Sequence, residues 1–337
     1  MNRWTEDKAK EWYGNLPWLV GCNFVPSNAI NQLEMWQADT FDIATIEREL
    51  GWAAGLGMNT VRVYLHDIAW KTDAEGFKSR VDLFLRCTVK HGLRPILVFF
   101  DDCWNANPKA GKQPEPVPGV HNSGWLQSPG AASVNNPATW PQLEDYVRDV
   151  VGTFRRDDRI LMWDLYNETG NTKQDERSLP LLQKVFEWTR DVDPIHPLTT
   201  GLWANNAVIN SFQLTASDII TFHNYNDAVH LAAQIGDLRK NGRPMICTEW
   251  LRRGHSEVAT CLQVFHRERV GCCNWGLVCG KTQTNYPWGS LPGAPEPSVW
   301  FHDLLRQDGS PFNPNEARIF RELTASARAQ QKVARDA

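Results

Sequence analysis

Eight apolar runs of four to eight residues recur along the chain with helix-like segments between them, and this alternation restricts the possible folds most. The runs are Leu19–Phe24, Thr60–Leu65, Pro95–Phe100, Ile160–Tyr166, Leu198–Leu202, Ile219–Tyr225, Met245–Trp250 and Cys272–Val278. Most are continuously apolar, as strands covered on both faces must be. Ile43–Ala54, Arg80–His91, Leu143–Phe154, Leu181–Asp191 and Val258–Arg269 carry apolar residues at three- and four-residue spacing, the period of an amphipathic helix. After Leu202 no clear helical period is present. Gly55, Gly57 and Gly92 follow helical patterns as C-cap candidates, and Pro244 immediately precedes the seventh run. Alternating strands and helices in this number predict an α/β fold, a (β/α)8 TIM barrel with long loops on the C-terminal face of the strands. With no internal repeat and no linker in sight, residues 1–337 read as one domain.

Two long irregular stretches bear on function. Asp101–Trp140 is rich in Pro, Gly and Asn and carries Trp104, His121, Trp125 and Trp140; Gly280–Pro297 carries Tyr286 and Trp288. Loops this long in a compact domain are usually functional or disordered; the aromatic residues of the first favour function, and both follow strands, on the face where barrel active sites lie.

Composition narrows the partner. The 35 basic and 39 acidic side chains give a net charge of −4 without a long run of either sign, so no nucleic-acid or membrane-surface footprint is visible. Sixteen Trp against six Tyr is an unusual surplus of flat apolar rings suited to stacking on sugars. The eight cysteines form no Cys-x-x-Cys pair and several lie in strand-like runs, so they read as buried thiols and no metal site is expected. No stretch reaches the roughly 18 apolar residues of a membrane span. The start Met1-Asn2-Arg3-Trp4-Thr5-Glu6-Asp7-Lys8 has no signal-type apolar segment, so the chain as written reads as cytoplasmic, or secreted or periplasmic if a leader has been removed. Composition leaves the oligomeric state open.

The strongest chemical signal is a pair of carboxylates. The fourth run leads into Asn167-Glu168, and the seventh contains Glu249 before its final Trp250, so two glutamates close two strands on one face of the barrel. Either alone is better read as a helix cap or an ion-pair partner. Together they suit retaining glycoside hydrolysis, in which one carboxyl protonates the leaving oxygen and the other attacks the anomeric carbon from about 5 Å away.

Asn167-Glu168 after strand four and Glu249 after strand seven resemble the signature of glycoside hydrolase clan A over nearly the whole chain, closest to the family 5 cellulase-like group and with echoes of the family 2 catalytic barrel. The resemblance implies that Glu168 is the acid/base, Glu249 the nucleophile and Asn167 a donor to the sugar 2-hydroxyl. Arg62 resembles the clan's strand-two arginine and His223 and Tyr225 its strand-six pair, which share one face by the two-residue period. Trp275 resembles the aromatic platform beneath the sugar. For each of these the alternative is an ordinary core role: a buried ion pair for Arg62, a satisfied core pair for His223 and Tyr225, packing for Trp275.

A retaining site needs an ionised nucleophile beside a protonated acid, so it is expected to lower one pKa and raise the other. Where family 5 enzymes often place a histidine after strand three, this chain has Asp101 and Asp102, which either hold sugar hydroxyls or cap the next turn. Asn23, His66, Trp104, Trp125, Trp250 and Trp288 are further candidate sugar contacts. The function these readings support is a retaining β-glycoside hydrolase, without cofactor, acting on a β-linked oligo- or polysaccharide of glucan, mannan or xylan type. The alternatives are an exo-acting β-glycosidase of β-galactosidase, β-xylosidase or β-mannosidase type, a sugar-binding barrel without catalysis, and a metal-dependent barrel using Asp101, Asp102, His66, His223 and Glu249. The last lacks any His-x-His or His-x-x-x-His element.

Overall fold

A computed structural model describes residues 2–336; Met1 and Ala337, the two ends of the span read as one domain, lie outside the described residues. Nine parallel segments form one sheet: β1 (Val20–Asn23), β2 (Thr60–Tyr64), β3 (Arg94–Asp101), β4 (Met162–Asn167), β5 (Leu198–Thr199), β6 (Gly201–Leu202), β7 (Ile220–His223), β8 (Met245–Trp250) and β9 (Gly271–Asn274). Their order around the sheet is β5-β4-β3-β2-β1-β9-β8-β7-β6. The fifth predicted strand is thus broken. Leu198–Thr199 pairs with β4 and Gly201–Leu202 with β7, so the chain changes partner at Thr200 and closes a (β/α)8 barrel there. Thr200 ties the break down, its hydroxyl donating to Tyr166 O at 2.9 Å.

Most of the remaining predicted strands and helices lie close to their expected bounds, for example Ile43–Gly55, Trp140–Phe154 and Val258–Glu268, but the helix expected at Arg80–His91 begins at Ala74 and the last strand ends at Asn274 rather than Val278. Gly57 and Gly92 take φ of +89° and +69° past helix ends, whereas Gly55 is the last helical residue. The weak segment after Leu202 is a helix, Ala207–Ala216, whose N-terminal amides of Val208 and Ile209 are capped by the Asn206 side chain. Helix Glu6–Gly14 places Trp12 and Tyr13 against the lower barrel core of Leu19, Ile96, Met162, Ile219 and Ile246, plugging the N-terminal end of the barrel. The main core lies between the strands and the helical ring. All eight cysteines are free thiols, and all but Cys279 are buried. No described helix is long and apolar enough to cross a membrane.

On the upper face the two long loops are tied to each other. Asn122 N donates to Thr282 O at 2.9 Å and Gly293 N to Pro118 O at 2.8 Å. The Gln283 amide accepts from Gly119 N and donates to Val117 O, both at 2.8 Å.

Candidate active site

A cleft of about 710 Å³ opens on the C-terminal face, within the range typical of ligand sites. Glu168 and Glu249 both line it. One oxygen of each carboxylate and one ring nitrogen of His223 all lie within 4.8 Å of one another. This close approach is what a retaining glycosidase, with carboxyl groups about 5–5.5 Å apart, requires.

Local backbone irregularity aims these groups. Pairing between β7 and β8 shifts register at Phe222/His223, bringing His223 opposite Glu249, and pairing of β8 with β9 shifts between Cys247 and Trp250. Such bulges re-aim side chains beside active sites. Glu168, the first residue beyond β4, sits at φ +43°, a left-handed conformation uncommon for a residue with a side chain.

Glu249 is held by donors. Arg62 Nη1 reaches its Oε1 at 2.9 Å, Tyr64 Oη the same oxygen at 3.0 Å, and Tyr225 Oη donates to Oε2 at 2.8 Å. Arg62 is itself wholly buried, and its Nη2 lies 2.8 Å from Asp164 Oδ2 and 2.7 Å from Asn167 Oδ1. It therefore serves both as a buried ion pair and as the anchor of Glu249. Glu168 has softer partners: the Cys103 thiol at 3.1 Å, the Asn171 amide, and His223 Nδ1 at 2.8 Å. Burial lowers His223 to about 4, so the ring is neutral, and its Nδ1 either donates to an ionised Glu168 or accepts from a protonated one.

Burial raises both glutamates above the usual carboxylate range, which differs from the expected lowering of one. The difference between them lies in what opposes burial. For Glu249 it is the positive Arg62 guanidinium together with the Tyr225 hydroxyl; for Glu168 it is chiefly hydrogen bonds from Cys103 and Asn171. A guanidinium stabilises an anion far better than a thiol or amide does, so the surroundings of Glu249 favour the anion more than those of Glu168 do.

The strand-three aspartates do not meet the cleft. Asp101 accepts from Asn167 Nδ2 at 2.9 Å and Trp125 Nε1 at 2.7 Å, orienting two residues that do line it. Asp102 is fully buried and accepts from Tyr166 Oη at 2.7 Å, Gly170 N at 2.7 Å and Ser178 Oγ at 2.5 Å, pinning the turn that follows Glu168. Burial pushes Asp101 to about 6 and Asp102 to about 7. Asp102→Ala is expected to lower stability by about 3–5 kcal/mol, because three buried donors lose their acceptor at once. Urea unfolding gives the value, and a loss under 1 kcal/mol would contradict this role.

Of the other candidates, Trp104, Trp125, Asn167, His223, Tyr225, Trp275 and Trp288 line the cleft. Trp275 forms its floor with Tyr64 and Trp125, ring centroids 5.9 and 5.5 Å away. The chain can turn away after β9 because Gly276 takes φ +74°; a Cβ there would lie 2.4 Å from Asp303 Oδ1. Asn23 lies below the floor, accepting from Arg62 at 3.0 Å. His66 caps helix Asp67–Thr72 and contacts Gln127 O at 3.1 Å, away from the cleft. Trp250 points outward and packs on Phe265 and Phe320. Sequence reading missed Asn171, Trp203, Arg252 and His302, which line the cleft, and left His121 and Cys103 without a role there. All six come from loops, where no periodicity marks an inward position; the one available signal is that Arg252 lies just beyond the seventh strand.

A closed parallel barrel in which the end of β4 and β8 present two carboxyls at this spacing, in a Trp-lined cleft, defines a retaining β-glycoside hydrolase. The family model for cellulase, glycosyl hydrolase family 5, matches residues 31–278. The chain belongs to that family. No curated protein matches it by sequence. Solved structures of similar fold include a GH5_18 protein from Streptomyces cattleya in complex with GlcNAc, 13% identical with a TM-score of 0.63 over 92% of this chain and 80% of that one. Another is the exo-β-1,4-mannosidase Op5Man5 from Opitutaceae bacterium strain TAV5, 18% identical with a TM-score of 0.64 over 94% and 60% of the two chains. The endo-1,4-β-D-mannanase from Thermotoga petrophila RKU-1 is 14% identical with a TM-score of 0.57 over 91% and 99%.

Proposed function

We propose that Glu168 is the acid/base and Glu249 the nucleophile of a double displacement on a β-linked glycan, carried out by residues 1–337 as one catalytic domain. The observation that carries this assignment is the unequal set of partners around two carboxyls within 4.8 Å. Glu249 is charge-stabilised by Arg62 and held by two tyrosines, as an attacking carboxylate must be. Glu168 is largely enclosed but open to the cleft, with weak donors, so it keeps its proton more readily and can deliver it to the leaving oxygen. Attack by Glu249 forms a glycosyl ester as the aglycone leaves with that proton. Glu168 then takes a proton from water, which breaks the ester.

Asn167, fixed by Arg62 and Asp101, is assigned to the 2-hydroxyl and Trp275 to the face of the sugar. The related folds include a mannosidase and a mannanase, which makes β-mannosides and β-glucosides the substrates of first choice. Incubation with activated 2-fluoro mannosides and glucosides, followed by intact and peptide mass measurement, is expected to show one sugar on Glu249. Absence of any adduct together with hydrolysis abolished by EDTA would favour a metal-dependent enzyme instead.

A further inference from the structure

The retaining assignment fixes a direction along the cleft. The acid protonates the leaving oxygen, so the aglycone lies on the Glu168 side and the ring that becomes esterified to Glu249 extends the other way. On the Glu168 side are Asn171, Thr172 and Trp203, whose indole donates to Thr169 O at 3.0 Å. On the Glu249 side stands the wall built where the two long loops are tied together. Trp288 from the second loop packs edge-on against Tyr225 at 4.9 Å, and His121 from the first lies 6.5 Å from Trp288.

This wall carries polar groups with nothing to bind. His302 Nδ1 bonds Leu251 O and His121 Nδ1 bonds Tyr286 O at 2.7 Å. A carbonyl oxygen only accepts, so each ring carries its proton on Nδ1 and leaves Nε2 as an acceptor. His302 Nε2 is buried, faces no partner and belongs to a residue lining the cleft. The two rings are 5.3 Å apart. Burial lowers His121 to about 4 and His302 well below the ordinary histidine value, so both remain acceptors at neutral pH. Arg252 lies over Trp288 at 5.6 Å, lines the same wall, and has no carboxylate partner among the described residues. Two unfilled acceptors and an unfilled donor beside an indole match the hydroxyls and apolar face of a terminal sugar.

Resting on the retaining assignment, we propose that the tied loops seal the glycone end of the cleft and make the enzyme exo-acting. It releases one sugar at a time from the non-reducing end, with His121, His302 and Arg252 reading the hydroxyls of the terminal residue. A polymer threaded through the cleft would meet the loop ties and could not continue past the first ring.

The test uses the whole chain with mannopentaose and cellopentaose labelled at the reducing end with 2-aminobenzamide, choosing the series whose aryl β-glycoside is turned over. The expected early products are free monosaccharide and the labelled tetrasaccharide, followed in order by the labelled tri- and disaccharide. Early appearance of an unlabelled fragment of two or more sugars would overturn exo action and leave the retaining assignment standing. A pentaose left intact by an enzyme that hydrolyses the aryl glycoside of the same sugar would overturn it as well. If no aryl glycoside is hydrolysed and no 2-fluoro sugar is trapped on Glu249, the retaining assignment fails, and the exo reading falls with it.

Discussion

Glu249→Ala is expected to reduce turnover of aryl β-glycosides by on the order of 10⁵-fold, as removal of the central member of a covalent mechanism does elsewhere. Folding is expected to survive. Arg62 keeps its pair with Asp164 at 2.8 Å and its bond to Asn167 at 2.7 Å, so no buried charge is left alone. The vacated space opens to the cleft, where water can satisfy Tyr64 and Tyr225. Azide placed in that space attacks from the face Glu249 used, and with no second displacement to follow it yields a glycosyl azide of inverted configuration. Kinetics with and without azide, with the product anomer read by NMR, check both parts. Turnover within tenfold of the unaltered enzyme would end the assignment.

The second large effect concerns Glu168 and splits by leaving group. In Glu168→Ala, a dinitrophenyl glycoside still glycosylates Glu249 at close to the normal rate, because its phenolate departs without a proton. A methyl or sugar leaving group loses on the order of 10³-fold, within the usual reach of general acid catalysis. The pH profile moves in the same sense. Burial raises Glu168 and its protonated form acts in the first step, so kcat/KM falls as pH rises through its pKa; the acid limb reports protonation of Glu249. The variant is expected to lose the basic limb and keep the acid limb. Equal losses on good and poor leaving groups would contradict an acid/base role.

What the sequence showed and what it hid follow physical lines. Strands covered on both faces must be apolar throughout, so the runs ending in Asn167-Glu168 and containing Glu249 stand out, and with them the barrel and its two carboxyls. The two-residue period also bears on Trp250: with Glu249 inside, its neighbour Trp250 must point out, and it packs on Phe265. Asp101 and Asp102 could not be resolved in this way, because both were free to act as ligands or caps until their donors were known. Helix Ala228–Arg239 is faint in the sequence, since its buried positions Leu231, Ile235 and Leu238 are diluted by alanines and a glycine and Val229 is exposed. The break at Thr200 leaves no mark, because a strand that changes neighbours is as apolar as one that does not. Cys103 against Glu168, and the histidines of the loop wall, depend on loop paths that no period encodes.

The broken fifth strand also bears on how such an enzyme can diversify. The barrel is joined there through two dipeptide segments, Leu198–Thr199 and Gly201–Leu202, each pairing with only one neighbour, and Trp203 follows directly on the Glu168 side of the cleft. Insertions just after Leu202 disturb few ladder bonds, whereas Gly201 and Leu202 themselves pair with Thr221 and Phe222, directly beside the register shift that aims His223. Leaving-group preference can therefore drift between relatives at small cost to the barrel, while the half of the cleft that holds the reacting sugar, tied down by its loops, has far less room to change.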